Sequence, residues 1–164
     1  MNHSSTVVPG RMTAKLDKPV VLFLIGARFN TLRTFPKWLW FARTMPAMLA
    51  ELEKKPEAGL LWYRTYISWP NLMVQQYWES FDKLMAYSSD KSAEHQPAWA
   101  RYMRELAGDG STGIWHETYL IDPGKYENIY NNMPPYGLGA VGRIVDAVGA
   151  RQAARQRVKG KVAA

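Results

Sequence analysis

The feature that most constrains the fold is residues 20–27, VVLFLIGA, an uncharged run that continues through Arg28 to Phe29. It is rich in branched and aromatic side chains and apolar at odd and even positions alike. That is the pattern of a strand covered on both faces. A bilayer-spanning helix needs about 20 apolar residues, so the run is too short to cross a membrane. Lys15 and Lys18 before it imitate a secretion signal. Arg28-Phe29-Asn30 follows, however, where small residues of a cleavage site would stand. A cytoplasmic protein without a membrane partner is expected.

Further elements can be placed around this strand. Residues 36–54 have helical spacing, with Leu39, Ala42, Met45, Leu49 and Leu52 on one stripe. Pro46 should kink or restart this helix. Residues 60–69 and 71–79 are two apolar and aromatic runs split only by Pro70, which reads as a hairpin. A short helix over 81–87 and a longer one over 92–106 follow. The longer one carries His95, Trp99, Tyr102, Met103 and Leu106 on a common face. Gly108-Asp109-Gly110 is a turn and Thr112–Ile121 a last strand. A short helix is expected from Lys125, with Tyr126, Tyr130 and Met133 at helical spacing as its anchoring face. That segment could serve as a lid over a pocket or as a bridge to a partner subunit. The order β-α-β-β-α-β predicts an α+β fold with the ferredoxin-like split βαβ arrangement.

At 164 residues and 47% hydrophobic, the chain can bury one real core. Residues 1–18 are polar and aperiodic and read as a flexible arm, 19–139 as the folded domain, and 140–164 as a basic tail. Arg143, Arg151, Arg155, Arg157, Lys159 and Lys161 stand there against Asp146, so most of the formal +7 charge lies in the tail. A solvated terminus is expected, with no nucleic-acid partner. The sequence contains no cysteine. Disulfides, iron–sulfur clusters, cysteine-based zinc sites and thiol nucleophiles are thereby excluded. There is no glycine-rich dinucleotide fingerprint, no P-loop and no nucleophile elbow; Gly137-Leu138-Gly139 lacks the strand-turn-helix setting.

Two stretches go beyond pattern. Residues 75–84 (QQYWESFDKL), with Ala86-Tyr87 and then 95–99 (HQPAW), resemble the dimeric α/β-barrel monooxygenases. Residues 113–119 (GIWHETY) run on through 124–127 (GKYE), 129–134 (IYNNMP) and 137–139 (GLG). Together with 23–26 (FLIG), they resemble the monooxygenase-like family named after a fumagillin-pathway enzyme domain, some members of which are labelled phenylacetaldoxime dehydratase-like. The resemblance spans residues 11–142. It implies a homodimer whose two sheets close a barrel, and a pocket between each sheet and its helices. It does not imply one reaction, because related sites oxidise phenols without a cofactor, degrade heme, dehydrate aldoximes on heme, or have lost activity.

Candidate site residues follow from chemistry and from that resemblance. His95 has three open readings: a core histidine, a general base, or an axial ligand to heme, the alternative cofactor in an otherwise cofactor-free expectation. His116 sits in a strand where side chains alternate. It therefore shares a face with Thr118 and Leu120, while Trp115, Glu117 and Tyr119 share the other. His116 is a second catalytic candidate beside a structural reading, and Glu117 a binding residue or an ion-pair partner of Arg28 or Arg64. Arg28 could hold a carboxylate, a heme propionate or an oxyanion, or simply pair with an acid at a strand end. Asn30 could add a hydrogen bond. Trp62, Tyr77, Trp78, Trp99, Trp115 and Tyr119 could line a pocket for a small apolar organic ligand or pack the core. The expected activity is that of a small monooxygenase-like oxidoreductase acting on an aromatic or polyketide-like substrate. A heme enzyme and a non-catalytic ligand-binding dimer are the alternatives.

Overall fold

The structure is a computed structural model. It describes residues 5–31, 35–93, 95–105, 107–108 and 110–158, and of residues 35–42 and 95 it describes the backbone. In chain order the elements are β1 (Val8–Lys15), β2 (Val20–Phe29), α1 (Phe35–Lys54), β3 (Leu60–Ser68), β4 (Asn71–Trp78), α2 (Phe81–Ser89), α3 (His95–Glu105), β5 (Thr112–Ile121), β6 (Tyr130–Met133), α4 (Leu138–Val141), β7 (Arg143–Asp146) and α5 (Ala154–Arg157). The main sheet is antiparallel in the order β3-β4-β2-β5, with α1, α2 and α3 on one face. This is the ferredoxin-like arrangement.

The apolar run at 20–29 becomes β2, paired along its length with β4 and β5. Its odd residues face the helices and its even residues the other side. On the helix side Val21, Val74, Trp78 and Leu60 meet Leu49 and Leu52 of α1 and Leu84 of α2 in the main core. Of the stripe expected on α1, the side chains of Leu39 and Ala42 lie outside the described residues. The helix runs through Pro46 as one element. Of the face expected on α3, Tyr102 is buried while Trp99 and Met103 are exposed; the His95 side chain and Leu106 lie outside the described residues. A Ser80 cap, whose Oγ accepts from the Lys83 amide, starts α2.

Three expectations are corrected at the ends. Part of the arm expected to be flexible is β1, and part of the tail expected to be solvated is β7; the two pair side by side, Met12↔Asp146 through Lys15↔Arg143. Pro9, Gly10 and Arg11 hid β1 because they break any apolar alternation. Backbone pairing on both edges holds it, with Ala14 buried in the second core. Residues 125–133 are not helical. Asn128 Oδ1 accepts from the Ala14 amide (2.7 Å) and the Thr13 hydroxyl (3.0 Å), and Tyr126 OH accepts from the Leu16 amide. These ties hold the segment extended, and β6 then adds to the other side of β1. The resulting sheet, β6-β1-β7, covers Trp62 and Tyr77 on the main sheet's second face. The segment expected as a lid therefore packs away from the helices.

Beyond the β1–β7 pairing, Arg11 Nη1 donates to the Gln152 carbonyl at 2.9 Å, and Arg157 ties the end of the tail to Glu127. Arg157 donates to the carbonyls of Arg151 and Gln152, both at 2.8 Å, and through Nε to Glu127 at 2.8 Å. Its side chain is 6% exposed.

Candidate functional site

Between the main sheet and α1, α2 and α3 lies a cavity of about 460 Å³. The sheet supplies its floor through strand alternation: Phe23 and Ile25 of β2, Val74 of β4, and Ile114, His116 and Thr118 of β5. The helices supply soft walls, Met45 and Met48 from α1, Met85 from α2 and Trp99 from α3. Unbranched thioethers adapt to irregular apolar shapes, so this lining suits an apolar organic group. Trp99 stacks on Tyr102 with ring centroids 5.5 Å apart, and Tyr102 OH donates to the buried Thr112 carbonyl at 3.1 Å. That bond pins α3 to the start of β5.

His116 is exposed at the cavity wall, its ring 5.7 Å from that of Phe23. An imidazole at the edge of an apolar slot can take or give a proton while the ligand's apolar body stays dry. Polar residues on the helix side are Thr44, Ser88, Gln96 and Tyr102. Gln96 Nε2 donates to the Ser88 carbonyl at 2.7 Å, joining the end of α2 to the start of α3.

Of the residues singled out from sequence, His116 and Trp99 line this cavity. The side chain of His95 lies outside the described residues; its backbone opens α3. Trp78 is buried deep in the core on the same face, its indole donating to Gln76 Oε1 at 2.8 Å. Trp62 and Tyr77 are on the opposite face, beneath Tyr136 and the small sheet. Burial pushes the Tyr77 phenol up to about 12. Trp115, Glu117 and Tyr119 also occupy that second face, on its uncovered half. Tyr119 OH donates to Glu117, and that carboxylate holds the phenol's proton, raising its pKa. The Glu117 ion pair expected with Arg28 or Arg64 is replaced by this bond. Arg28 Nη1 donates to Asn71 Oδ1 at 3.4 Å and Asn30 Nδ2 to the Gly110 carbonyl at 2.9 Å, and neither lines the cavity.

Sequence reasoning missed Met45, Met48, Met85 and Gln96 as lining residues. The methionines carry no signal beyond apolarity, and Gln96 is readable only once α2 and α3 are seen to meet. If heme were bound here, His116 would offer its iron a nitrogen donor, and no lysine or arginine is among the described lining residues to pair with the propionates. Among the described residues no cluster of three or more His, Asp or Glu side chains could hold a metal ion, and no helix is long and apolar enough to cross a membrane.

No curated protein matches the chain. Among solved structures, an aldoxime dehydratase, OxdRE, in complex with butyraldoxime is similar in fold at a TM-score of 0.61 and 18% identity. The match covers 91% of this chain but 42% of that one, so the chain spans less than half of that enzyme's length. Rv0793 from Mycobacterium tuberculosis matches at a TM-score of 0.45 and 14% identity, covering 62% of this chain and 92% of that one. SnoaB, a cofactor-independent oxygenase from Streptomyces nogalater, matches at 0.39 and 13%, covering 62% and 91%. The sequence pattern of the monooxygenase af470-like family matches residues 20–138, from the first residue of β2 to the first of α4. The chain belongs to the monooxygenase af470-like family.

Proposed function

We propose that the protein is a small cofactor-independent oxygenase that oxidises an apolar aromatic or polyketide-like phenol in the cavity between sheet and helices. The observation that carries this reading is the apolar slot of about 460 Å³ with the His116 imidazole at its wall. His116 accepts the phenolic proton. The phenolate then gives electrons from a ring carbon to dioxygen, and a C–O bond forms to give a ring hydroperoxide once the proton returns to the peroxide. Loss of the ring hydrogen with cleavage of the O–O bond releases water and leaves a quinone. One phenol and one dioxygen thus yield one quinone and one water.

The test is oxygen uptake with 1-naphthol in the presence of a chelator. Uptake with quinone formation is expected, falling by about 100-fold or more in His116→Phe, the scale of a lost general base. Undiminished uptake in that variant, or tight naphthol binding with no uptake at all, would overturn the oxygenase reading; the second outcome selects a binding module. A Soret band in the purified protein, abolished by His95→Ala, would select the heme enzyme instead.

The family's homodimer belongs to this reading. The uncovered half of the second face carries Trp115 and Tyr119, 38% and 48% exposed, beside the half-buried Leu24. Arg64, Gln75, Leu24 and Glu117 stand in one row across β3, β4, β2 and β5. A second copy turned about an axis parallel to the strands would set each Arg64 over the other copy's Glu117. Light scattering should give twice the chain mass. Arg64→Glu should weaken the dimer, and Arg64→Glu with Glu117→Arg should restore it; a monomer at every concentration would remove the proposal.

A further inference from the structure

One end of the main sheet sets exposed apolar side chains among basic ones. β2 finishes there at Phe29, whose amide donates to the Pro70 carbonyl in the β3–β4 turn at 3.0 Å, and the Phe29 and Trp69 rings stack 5.8 Å apart. Trp69 is 57% exposed and Ile67 79%, the highest of any large apolar side chain described. The start of α1 lies at this end too. Its later residues Leu49 and Leu52 pack with Val21, Leu60 and Trp78 at the far end of the strands, which leaves Phe35 near the close of β2. Charge here is one-sided. Residues 18–50 and 58–78, which supply β2, most of α1 and the hairpin, contain no Asp or Glu, while Arg28, Lys37 and Arg43 stand among them. Arg28 is exposed beside the turn, bonded to the neutral Asn71. α3 closes at the same end with Glu105, which Arg101 and Arg104 bracket at 3.0 and 3.2 Å; Asp109 lies outside the described residues.

We propose that this end of the molecule lies on an anionic lipid bilayer, with Ile67 and Trp69 entering the headgroup layer and the arginines around them facing lipid phosphates and carboxylates. Tryptophan favours the boundary between water and hydrocarbon, and basic residues near an anionic leaflet add attraction. Isoleucine offers a nucleic acid neither a stacking ring nor a hydrogen bond, so the exposed aliphatic tip favours lipid. The contact is peripheral, since no helix among the described residues is long and apolar enough to cross a membrane. The expectation of no membrane partner rested on spanning length, which lying on a surface does not require. Ile67 shares the helix side with Leu72 and Ala27, away from the face given above to a second copy. In that dimer, with its axis along the strands, both copies turn this end the same way.

The experiment is flotation of the full chain with vesicles of phosphatidylcholine alone and of phosphatidylcholine mixed with phosphatidylserine. The mixed vesicles should carry the protein, the neutral ones should carry less, and added salt should release it. Ile67→Ser with Trp69→Ser should weaken binding to mixed vesicles by about tenfold or more, the scale of one apolar side chain withdrawn from the interface. Leu120 is 70% exposed at the opposite end of the sheet, paired with Val21, and Leu120→Ser should leave binding unchanged. No binding of the intact chain to mixed vesicles would overturn the proposal. So would binding that survives the double substitution, which would move the contact to the basic tail, and so would an equal loss in Leu120→Ser. Preference for a DNA or RNA duplex over vesicles, lost in the double variant, would assign the surface to nucleic acid and overturn the lipid reading. If loss of the Trp69 stack on Phe29 prevents folding, Ile67→Asp alone decides, because a side chain so exposed contributes little to the core.

Discussion

Replacing Gly26 by alanine separates a close packing arrangement from a merely small residue. Gly26 lies at the middle of β2, opposite Trp115, and the indole lies across it on the face away from the helices. A Cβ at Gly26 would stand 2.5 Å from Trp115 Nε1 and 2.6 and 2.7 Å from two ring carbons. Atoms do not approach so closely, so the ring or the strand must move. Overpacking of this kind costs about 1–3 kcal/mol. Gly26 does not occupy the left-handed region, so alanine suits its backbone and, with no ring above it, would stabilise the strand by about 0.5–1 kcal/mol. The balance is a loss centred near about 1 kcal/mol and reaching at most about 2.5 kcal/mol. For a chain of this length that lowers Tm by roughly 2–8 °C. Thermal unfolding followed by circular dichroism reads the shift, and near-ultraviolet dichroism should change as the Trp115 ring is displaced. A variant as stable as the parent or more so would refute the packing argument, because sign as well as size is at stake.

Arg157→Ala should destabilise the fold by about 1–3 kcal/mol, since two carbonyls and Glu127 lose a nearly buried donor, with the ion pair discounted because Glu127 is partly exposed. The exposed Arg155→Ala should stay within about 0.5 kcal/mol, and equal urea midpoints for the two would mean that Arg157 does not tie the end of the tail to Glu127. Tyr77 supplies a pH dependence. Its folded pKa is about 12 against an ordinary 10, so between those values the unfolded chain has lost a proton that the folded chain keeps. Its contribution is complete below pH 10 and declines by up to about 1.4 kcal/mol per pH unit above it. Tyr77→Phe should flatten that decline in urea melts, and an unchanged slope would count against the burial of this phenol.

Much of the architecture could be read from the chain. Residues 20–29 declared a strand because no polar side chain interrupts them before Arg28. Alternation along Thr112–Ile121 is enough to set His116 and Glu117 on opposite faces. What alternation does not carry is which face the helices cover, and that decides which aromatics see a ligand. Trp62, Tyr77, Trp115 and Tyr119 were candidates by size, yet all stand on the second face. The edges of the fold were hidden for a different reason. β1 and β7 are held by backbone pairing to residues more than a hundred positions away, and residues 125–133 by side chains of Asn128 and Tyr126 that satisfy backbone amides. Such long-range hydrogen bonds leave no periodic trace in composition.

The pairing of β1 with β7 also bears on the order in which the molecule can be completed during synthesis. Met12 leaves the ribosome early, while its partner Asp146 is still untranslated. Until that late segment emerges, the strip that shelters Trp62 and Tyr77 cannot close, and the nascent chain carries an aromatic surface open to chaperones and to other nascent chains. Ribosome-bound chains halted before residue 143 should therefore be far more prone to aggregation and proteolysis than those halted well beyond it.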